Sequence, residues 1–305
     1  GQNGVWTNYS KSTYSYNSNN KILVALNQSL DNETWVTLSN ETYTYDASDS
    51  LLCDLYELRE NDAIVYATKK TFTFDTNGNK SSYSYERFQL NAWERHPKHT
   101  YTYDINRNML TDLVQNWVSN DTMQNYTLVN SSINIYSYDS TGNLQTEIFK
   151  VWQNDAWANI SMITYTYDAN GNNLSYLYQF WNNNTWNNSQ EITYTYDANG
   201  HLLSRFEQSG TQYYSRSTYT YNSNGDFTSC TSESWVDNSW KNSNRYSISY
   251  DGNSHISSQL YELWINNAWV NYKTYLFTND AAGNSLTAKL ESWENNGWVP
   301  ESNYL

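Results

Sequence analysis

The feature that most constrains this chain is a repeat of 29 residues. A string of the form Tyr-x-Tyr-Asp, followed by a turn sequence such as Ala-Asn-Gly-Asn, recurs along nearly the whole length. We call the second aromatic residue of each string the anchor and number the positions of a repeat from it. Neighbouring anchors are 29 residues apart, except for one spacing of 35 and one of 25. The anchors are Tyr16, Tyr45, Phe74, Tyr103, Tyr138, Tyr167, Tyr196, Tyr221, Tyr250 and a degenerate copy near Asn279.

Tryptophan supports the same period independently, because it plays no part in finding it. All 14 Trp residues lie either ten positions before an anchor or fourteen after one, the last of them for a copy that the chain does not complete. The first group is Trp6, Trp35, Trp93, Trp157, Trp186, Trp240, Trp269 and Trp298. The second is Trp117, Trp152, Trp181, Trp235, Trp264 and Trp293. The sequence therefore predicts one repeat array over residues 1–305.

Each repeat predicts two strands joined by short turns. In the copy around Tyr196, the segments 186–196 and 202–208 favour strands, with a turn at 197–200 and a second turn between Trp181 and Trp186. Asn-Gly favours a tight hairpin because both residues tolerate positive φ, and the preceding Asp accepts backbone N–H groups. With 30 Tyr, 14 Trp and only 2 Pro, the composition also favours strands. We expect an all-β antiparallel meander of about twenty strands.

Alternation along the strands predicts which residues share a face. Counting back by twos from Tyr196 puts Tyr194, Ile192 and Trp186 on one side and Thr195 and Thr193 on the other. The second strand of each repeat has its apolar residues at even positions from the anchor, so we expect a single aromatic face shared by both strands. Such a sheet has to cover that face, which predicts a rolled or spiralling single sheet, with a hollow barrel as the alternative.

The motifs resemble those of the YD-repeat family, the tyrosine–aspartate repeats of Rhs-type proteins and teneurins. The matching segments are 164–172, 193–201 and 42–48, with weaker copies over nearly the whole chain. The resemblance implies a spiralling antiparallel sheet that forms a shell, in proteins of cell surfaces and secretion systems. The unit here is longer and has a second hairpin flanked by Trp. Asn-rich and Trp-rich arrays of this kind are also similar to secreted surface proteins of Bacteroidota.

Charge and cysteine content exclude several classes of partner. Asp and Glu number 31 against 17 Lys and Arg, a net charge of -14, and such a surface repels nucleic acid. No apolar run is long enough to span a bilayer, and Gly1 begins no signal peptide, so we expect no transmembrane segment. Cys53 and Cys230 lie several repeats apart, which favours neither a disulfide nor a thiolate metal site.

The segment Asp168–Asn172 superficially resembles a calcium loop, with oxygen ligands at alternate positions. It lacks the distal Glu of an EF-hand, and an Asp in a hairpin turn needs no metal. We interpret it as a structural turn, and the chain is expected to hold no metal or cofactor.

The position twelve residues after each anchor holds a long polar side chain. Two interpretations stand: a ladder that satisfies Trp N–H and Tyr O–H groups, which we favour, or a repeated sugar cradle beside aromatic plates. Gln179 and Glu262 are the candidate binding residues. The full set is Gln28, Glu57, Glu86, Gln115, Lys150, Gln179, Gln208, Glu233, Glu262 and Glu291.

The Trp residues that bracket the second turn form pairs. They either clamp the hairpin by cross-strand packing or form a row that grips an extended polymer through many weak contacts. We hypothesise that this rim binds glycan or a neighbouring surface protein. The candidate pairs are Trp152 with Trp157, Trp181 with Trp186, Trp235 with Trp240, and Trp264 with Trp269.

No residue pattern favours catalysis. His96, His99, His201 and His255 share no spacing suited to metal binding or nucleophile activation, and Pro97 beside the first pair predicts an edge or bulge in an eroded repeat. The leading interpretation is a secreted or cell-surface binding module without enzymatic activity. The alternative is a structural spacer, shell or filament subunit that associates through its sheet edges. Ice binding through Thr-x-Thr pairs is a third.

Overall fold

The computed structural model describes residues 9–119, 126–210 and 213–304, with side chains as far as 301. In these ranges the chain forms 22 strands and no helix, and all the strands belong to one antiparallel sheet, which confirms the predicted fold class. The chain divides into two compact units, 1–160 and 161–305, and the boundary between them falls inside a strand. A single array over 1–305 stays a prediction, and Trp6 lies outside the described residues.

The strands of the first unit follow one another along the chain. They are β1 Ser10–Tyr16, β2 Ile22–Asp31, β3 Thr34–Tyr45, β4 Leu51–Glu60, β5 Ala63–Phe74, β6 Lys80–Gln89, β7 Ala92–Arg95, β8 Lys98–Tyr103, β9 Met109–Ser119, β10 Tyr126–Tyr138 and β11 Leu144–Gln153, with β12 Ala156–Tyr167 crossing into the second unit. The second unit continues with β13 Asn173–Asn182, β14 Thr185–Tyr196, β15 Leu202–Ser209, β16 Tyr213–Tyr221, β17 Phe227–Val236, β18 Ser239–Tyr250, β19 Ile256–Ile265, β20 Ala268–Asn279, β21 Ser285–Glu294 and β22 Gly297–Tyr304.

The two terminal strands decide between the predicted architectures. Among the described residues β1 pairs with β2 alone and β22 with β21 alone. The sheet therefore has two free edges, and the hollow barrel considered as an alternative is not formed. A rolled or spiralling course of the sheet stays a prediction.

A five-residue turn follows every anchor. In the turn after Tyr167, the Asp168 Oδ1 atom accepts the backbone N–H groups of Asn170 and Asn172, both at 2.9 Å. The same two bonds close all ten turns, with Asn in place of Asp at positions 17 and 222. The predicted role of the Asp is confirmed. The expectation that both Asn and Gly of this turn use positive φ is only half right. Gly171 has φ +84°, but Asn170 is not in the left-handed region.

The second kind of turn has two residues, both with positive φ, which matches the right-handed twist of the flanking strands. Asn183 and Asn184, at φ 50° and 60°, make the predicted turn between Trp181 and Trp186. Asn and Asp tolerate this conformation better than other residues with a Cβ, which explains their recurrence here. Among the described residues, turns of this kind are found at 32–33, 61–62, 90–91, 154–155, 183–184, 237–238, 266–267 and 295–296.

A one-residue bulge beside each anchor changes the predicted faces. Tyr196 lies opposite Leu202, but Thr195 lies opposite Ser204, so Leu203 has no partner. All ten anchor hairpins show this shift. Residues directly opposite share a face, and a slip of one residue moves side chains to the other side. The prediction that even positions of both strands share one face is therefore wrong.

A second bulge separates tryptophan from tyrosine. In β14, Gln190 lies opposite Tyr178 and Asn188 opposite Gln179, which leaves Ser189 as the extra residue. Trp186 is consequently on the face opposite to Tyr194, contrary to the prediction from simple alternation.

Thr195 and Thr193, which alternation placed on a separate polar face, lie on the same side as Trp186. We call this side, which also holds the residues twelve positions after each anchor, the Trp face. The opposite side, with Tyr194 and Ile192, is the Tyr face. Both faces mix apolar and polar groups.

Neither face is packed like the core of a two-layer domain. Ala67 is the one hydrophobic residue of the described chain that is fully buried, and no large side chain is. Side chains are half-buried by their neighbours within the sheet, and these contacts supply most of the packing.

The anchor tyrosines connect one repeat to the preceding one. Tyr250 donates its hydroxyl to the carbonyl oxygen of Phe227 at 2.7 Å, six positions after the previous anchor. In the degenerate copy the Asn279 amide donates to the equivalent carbonyl oxygen of Ile256 at 2.8 Å. The same bond joins Tyr45 to Ile22, Tyr103 to Lys80, Tyr138 to Met109 and Tyr221 to Leu202.

Replacing Tyr250 with phenylalanine is expected to lower the free energy of unfolding by about 1 kcal/mol, because it removes one hydrogen bond between repeats and leaves the Phe227 carbonyl without it. Urea unfolding followed by tryptophan fluorescence measures the loss. Tyr16→Phe is the matched control, since Tyr16 is 53% exposed. Equal losses in the two variants would contradict the role assigned to the anchor hydroxyl.

Acid is expected to weaken the fold through the anchor turns. Hydrogen bonds from the Thr141 hydroxyl and the Asn143 backbone hold the pKa of Asp139 at about 2, and the Asn172 side chain and backbone hold the pKa of Asp168 below its usual range. A lowered folded pKa contributes stability above the unfolded value of about 4, and the contribution is lost as the pH falls towards 2.

Melting temperatures between pH 5 and pH 2 test this effect. The double variant Asp139→Asn, Asp168→Asn should lose less on acidification than the unmodified chain, because asparagine accepts the same backbone bonds at positions 17 and 222. An equal fall in melting temperature between pH 5 and pH 2 in the two proteins would refute the role given to these two carboxylates.

Candidate binding surface on the Trp face

The structure brings every predicted Trp pair together. Each pair brackets a two-residue turn, with ring centroids 4.9–5.3 Å apart and ring planes at 68–72°. Trp293 and Trp298 form a fifth pair of the same geometry, at 5.0 Å and 73°. Edge-to-face packing is a preferred arrangement of aromatic rings and adds about 1 kcal/mol beyond burial. The pairs therefore clamp their hairpins.

Residues twelve positions after the anchors bond to polar side chains on the same face. Gln179 donates its amide to Asn188 Oδ1 at 2.8 Å, and Glu262 accepts two bonds from Arg245 at 2.6 and 2.7 Å. Across the described repeats the side-chain partners of this position are Arg, Lys, Asn and Thr. These repeats thus use Arg, Lys, Asn and Thr side chains where indole and phenol groups were expected, and Gln208 donates to the Gly210 carbonyl oxygen at 3.4 Å.

Two arginines cover the tryptophan of the following hairpin. The Arg245 guanidinium, held by Glu262, lies 4.8 Å from the ring centroid of Trp269. Arg216, held in the same way by Glu233, lies 4.5 Å from Trp240. The bond to Glu262 raises the pKa of Arg245, so the group stays charged. A cation over an aromatic ring is favourable. It also covers the side of the indole ring on which a sugar would stack.

An aromatic groove of about 330 Å³ opens where the repeat is shortest. Its walls are Phe206, Tyr214, Trp235 and Trp240. Phe206 lies edge-on to Trp240 at 6.2 Å and stacked on Tyr214 at 6.3 Å. Gly210 occupies the position, fourteen after Tyr196, where most repeats have Trp, and no indole therefore fills this part of the face.

Sequence reasoning selected Trp235 and Trp240 but missed Phe206 and Tyr214. Two signals were present: the spacing of 25 residues between Tyr196 and Tyr221, and glycine at a Trp position. Both mark a local departure from the repeat. We call this site the aromatic groove.

The remaining candidate residues form no shared centre. Within 9–119, 126–210 and 213–304, no group of three or more His, Cys, Asp or Glu side chains is arranged to hold a metal ion. Cys53 and Cys230 are free thiols. No described helix is long and apolar enough to cross a membrane. The predicted edge or bulge at Pro97 is found as a break, because β7 ends at Arg95 and β8 begins at Lys98.

Replacing Arg245 with alanine is expected to lower the free energy of unfolding by about 2 kcal/mol. Glu262 is only 7% exposed, so the variant leaves a nearly buried carboxylate unpaired. We expect less than the ~3–5 kcal/mol of a fully buried pair, because the Arg245 side chain is 37% exposed. Denaturant unfolding measures the loss. The double variant Arg245→Ala, Glu262→Ala should recover part of it; a double variant less stable than the single one would contradict this account.

Comparisons with known proteins name no family for the chain. No protein-family model matches it, and no curated protein matches it either. Among solved structures it is similar to TcdB2-TccC3-TEV, at 12% identity and a TM-score of 0.29, over 93% of this chain and 20% of that one. It therefore spans about a fifth of that chain.

Two further similarities are to proteins of Bacteroides. A protein with unknown function from Bacteroides fragilis is 18% identical, with a TM-score of 0.28, over 48% of this chain and 88% of that one. A porin-like protein from Bacteroides uniformis is 12% identical, with a TM-score of 0.30, over 77% of this chain and 93% of that one. Similarities this weak carry no argument about function, and the resemblance to YD repeats continues to rest on the sequence motifs.

Proposed function

We propose that this chain is a secreted or cell-surface repeat protein that binds glycans, without catalysis, on its Trp face. The observation that carries the proposal is the aromatic groove. Four rings line an open cavity, and two of them, Trp235 and Trp240, also form one of the edge-to-face pairs. An extracellular location of the protein agrees with its acidic surface, its net charge of -14 and the resemblance of its motifs to YD repeats.

The chemistry of the groove suits a sugar ring. Sugars present apolar C–H faces and hydroxyl edges, and aromatic walls with a few polar groups fit both. Phe206 lies directly opposite Arg216, and Arg216 opposite Glu233, so a charged pair borders the rings on the same face. The volume of about 330 Å³ is at the lower end of the range of small-molecule sites.

The repeats add further contacts at weaker sites. The pairs Trp152–Trp157 and Trp181–Trp186 lie on the Trp face, and in the part of the chain that the structure describes no cation is stacked on them. Gln179 lies two residues from Trp181 and supplies an amide. Within one unit, several weak contacts to one extended polymer add through effective concentration, so a long glycan would bind more tightly than a short one.

A structural role is the second candidate. The edge-to-face Trp pairs and the forked Arg–Glu pairs stiffen the Trp face in the manner of a spacer. The free edge of β1, whose seven residues are all exposed, offers unpaired backbone groups to another sheet. A neighbouring surface protein is the corresponding partner.

A neutral glycan array, followed by calorimetry with the best-bound oligosaccharide, tests the proposal. Tyr214→Ala should weaken binding about 10-fold, the loss typical of an aromatic wall in a binding site. Tyr272→Ala is the control, because Tyr272 is 48% exposed and lies outside the groove. An array without ligands, or equal affinities of the two variants, would overturn the proposal. Filaments in electron micrographs of the same material would support the structural candidate.

A further inference from the structure

A second groove, in the first unit, contains a row of charges that runs across three strands. Lys69 on β5 lies directly opposite Glu86 on β6, and Glu86 lies directly opposite Arg95 on β7. Lys69 Nζ is 3.9 Å from Glu86 Oε2, and Arg95 Nε is 3.0 Å from Glu86 Oε1. The groove has a volume of about 550 Å³, and Phe88, Trp93 and Tyr126 also line it. We call it the charged groove.

The charged groove has one cation more than its carboxylate neutralises. At Arg216–Glu233 and Arg245–Glu262 one guanidinium meets one carboxylate through two hydrogen bonds. Here two cations share Glu86, in a chain whose net charge is -14. Of the other charges on this face, Glu57 on β4 pairs with Arg59, and Lys98 on β8, opposite Gln115, adds a further cation.

Two aromatic rings hold the Arg95 guanidinium in place, and Glu86 bonds to only one of its nitrogen atoms. Its guanidinium carbon lies 4.3 Å from the ring centroid of Tyr126 and 5.1 Å from that of Trp117. In the described residues its hydrogen bond to Glu86 is made through Nε. The terminal amino groups are therefore suited to a further carboxylate, which guanidinium binds in a fork.

An aromatic plate lies beside these cations. Trp93 is 43% exposed, and its ring centroid is 5.5 Å from that of Phe88. The opening follows from the break at Pro97, because β7 has only four residues and all of them are exposed. In the regular repeats a second Trp packs against this position, whereas here the slot fourteen after the anchor is Phe88.

We propose that the charged groove binds a carboxylate-bearing sugar of the uronic-acid type. The carboxylate pairs with Arg95 and Lys69, and the C–H face of the ring stacks on Trp93. An acidic peptide would satisfy the cations but has no flat apolar face for the indole, so the aromatic plate favours the sugar. This site and its ligand are separate from the aromatic groove and do not depend on binding there.

The test is calorimetry of the whole chain with a β-linked tetraglucuronate at low salt. Arg95→Gln and Lys69→Gln should each weaken binding about 10-fold, as should methyl esterification of the ligand. Arg205→Gln is the matched control: Arg205 pairs with Glu207, lies opposite Tyr194 on the Tyr face and does not line the charged groove, so the affinity should stay within about 2-fold. Raising the salt concentration should weaken binding, because these groups are partly exposed to solvent.

Four results would overturn the proposal. They are the absence of saturable binding, equal losses in Arg95→Gln and Arg205→Gln, equal affinity for the methyl ester, and equal affinity for tetraglutamate, which would show that charge alone is recognised. Arg95→Lys, which keeps the charge without the fork, should give an intermediate affinity and provides a second variant if the glutamine variant does not fold. Neutral-glycan binding, measured on the same proteins, should be unchanged in Arg95→Gln, so failure here and failure of the aromatic groove are distinguishable.

Discussion

Contact between neighbouring strands of one sheet is the interaction on which the rest of this structure depends. A domain of two layers buries its side chains between them, but in the described chain only Ala67 among the hydrophobic residues is fully buried. Each repeat must therefore bring its own stabilising contacts to the strand next to it. The closed anchor turn, the anchor hydroxyl on the preceding repeat and the Trp pair across the second turn are three such contacts, and each recurs because no central core replaces it.

The bulges determine which of these contacts share a side. At the anchor hairpin the extra residue places Thr195 opposite Ser204 and Thr193 opposite Phe206. At the second hairpin the extra residue in β14 returns Trp186 to that same side. Two insertions of one residue thus assemble indoles, Gln or Glu side chains and a phenylalanine on the Trp face. Bulges of this kind re-aim side chains without ending the strand, and here they place the residues that line the aromatic groove on one side.

Periodicity in the sequence was sufficient to predict much of this fold. The predicted strands 186–196 and 202–208 are found as β14, Thr185–Tyr196, and β15, Leu202–Ser209, because turn chemistry and aromatic content agree locally. The faces could not be predicted, since alternation is exact only while the register is unbroken, and a bulge leaves no signature of its own in a strand such as TWNNSQEITYTY. The prediction of partners for the Gln and Glu positions failed for the same reason. The residue opposite Glu262 is Arg245 only once the bulge at the anchor is counted.

Departures from the repeat explain the grooves better than the repeat does. A position that recurs in many copies, such as the Trp pair, is already accounted for by the packing that every copy needs. The aromatic groove lies where a spacing of 25 residues and Gly210 remove one indole, and the charged groove lies where Pro97 interrupts a strand. In both places the loss of a structural contact opens a groove lined by aromatic rings, and in the charged groove two cations share one carboxylate. Since an array gains stability from each regular repeat, it tolerates a few irregular ones, and specificity for a ligand is expected to reside in those.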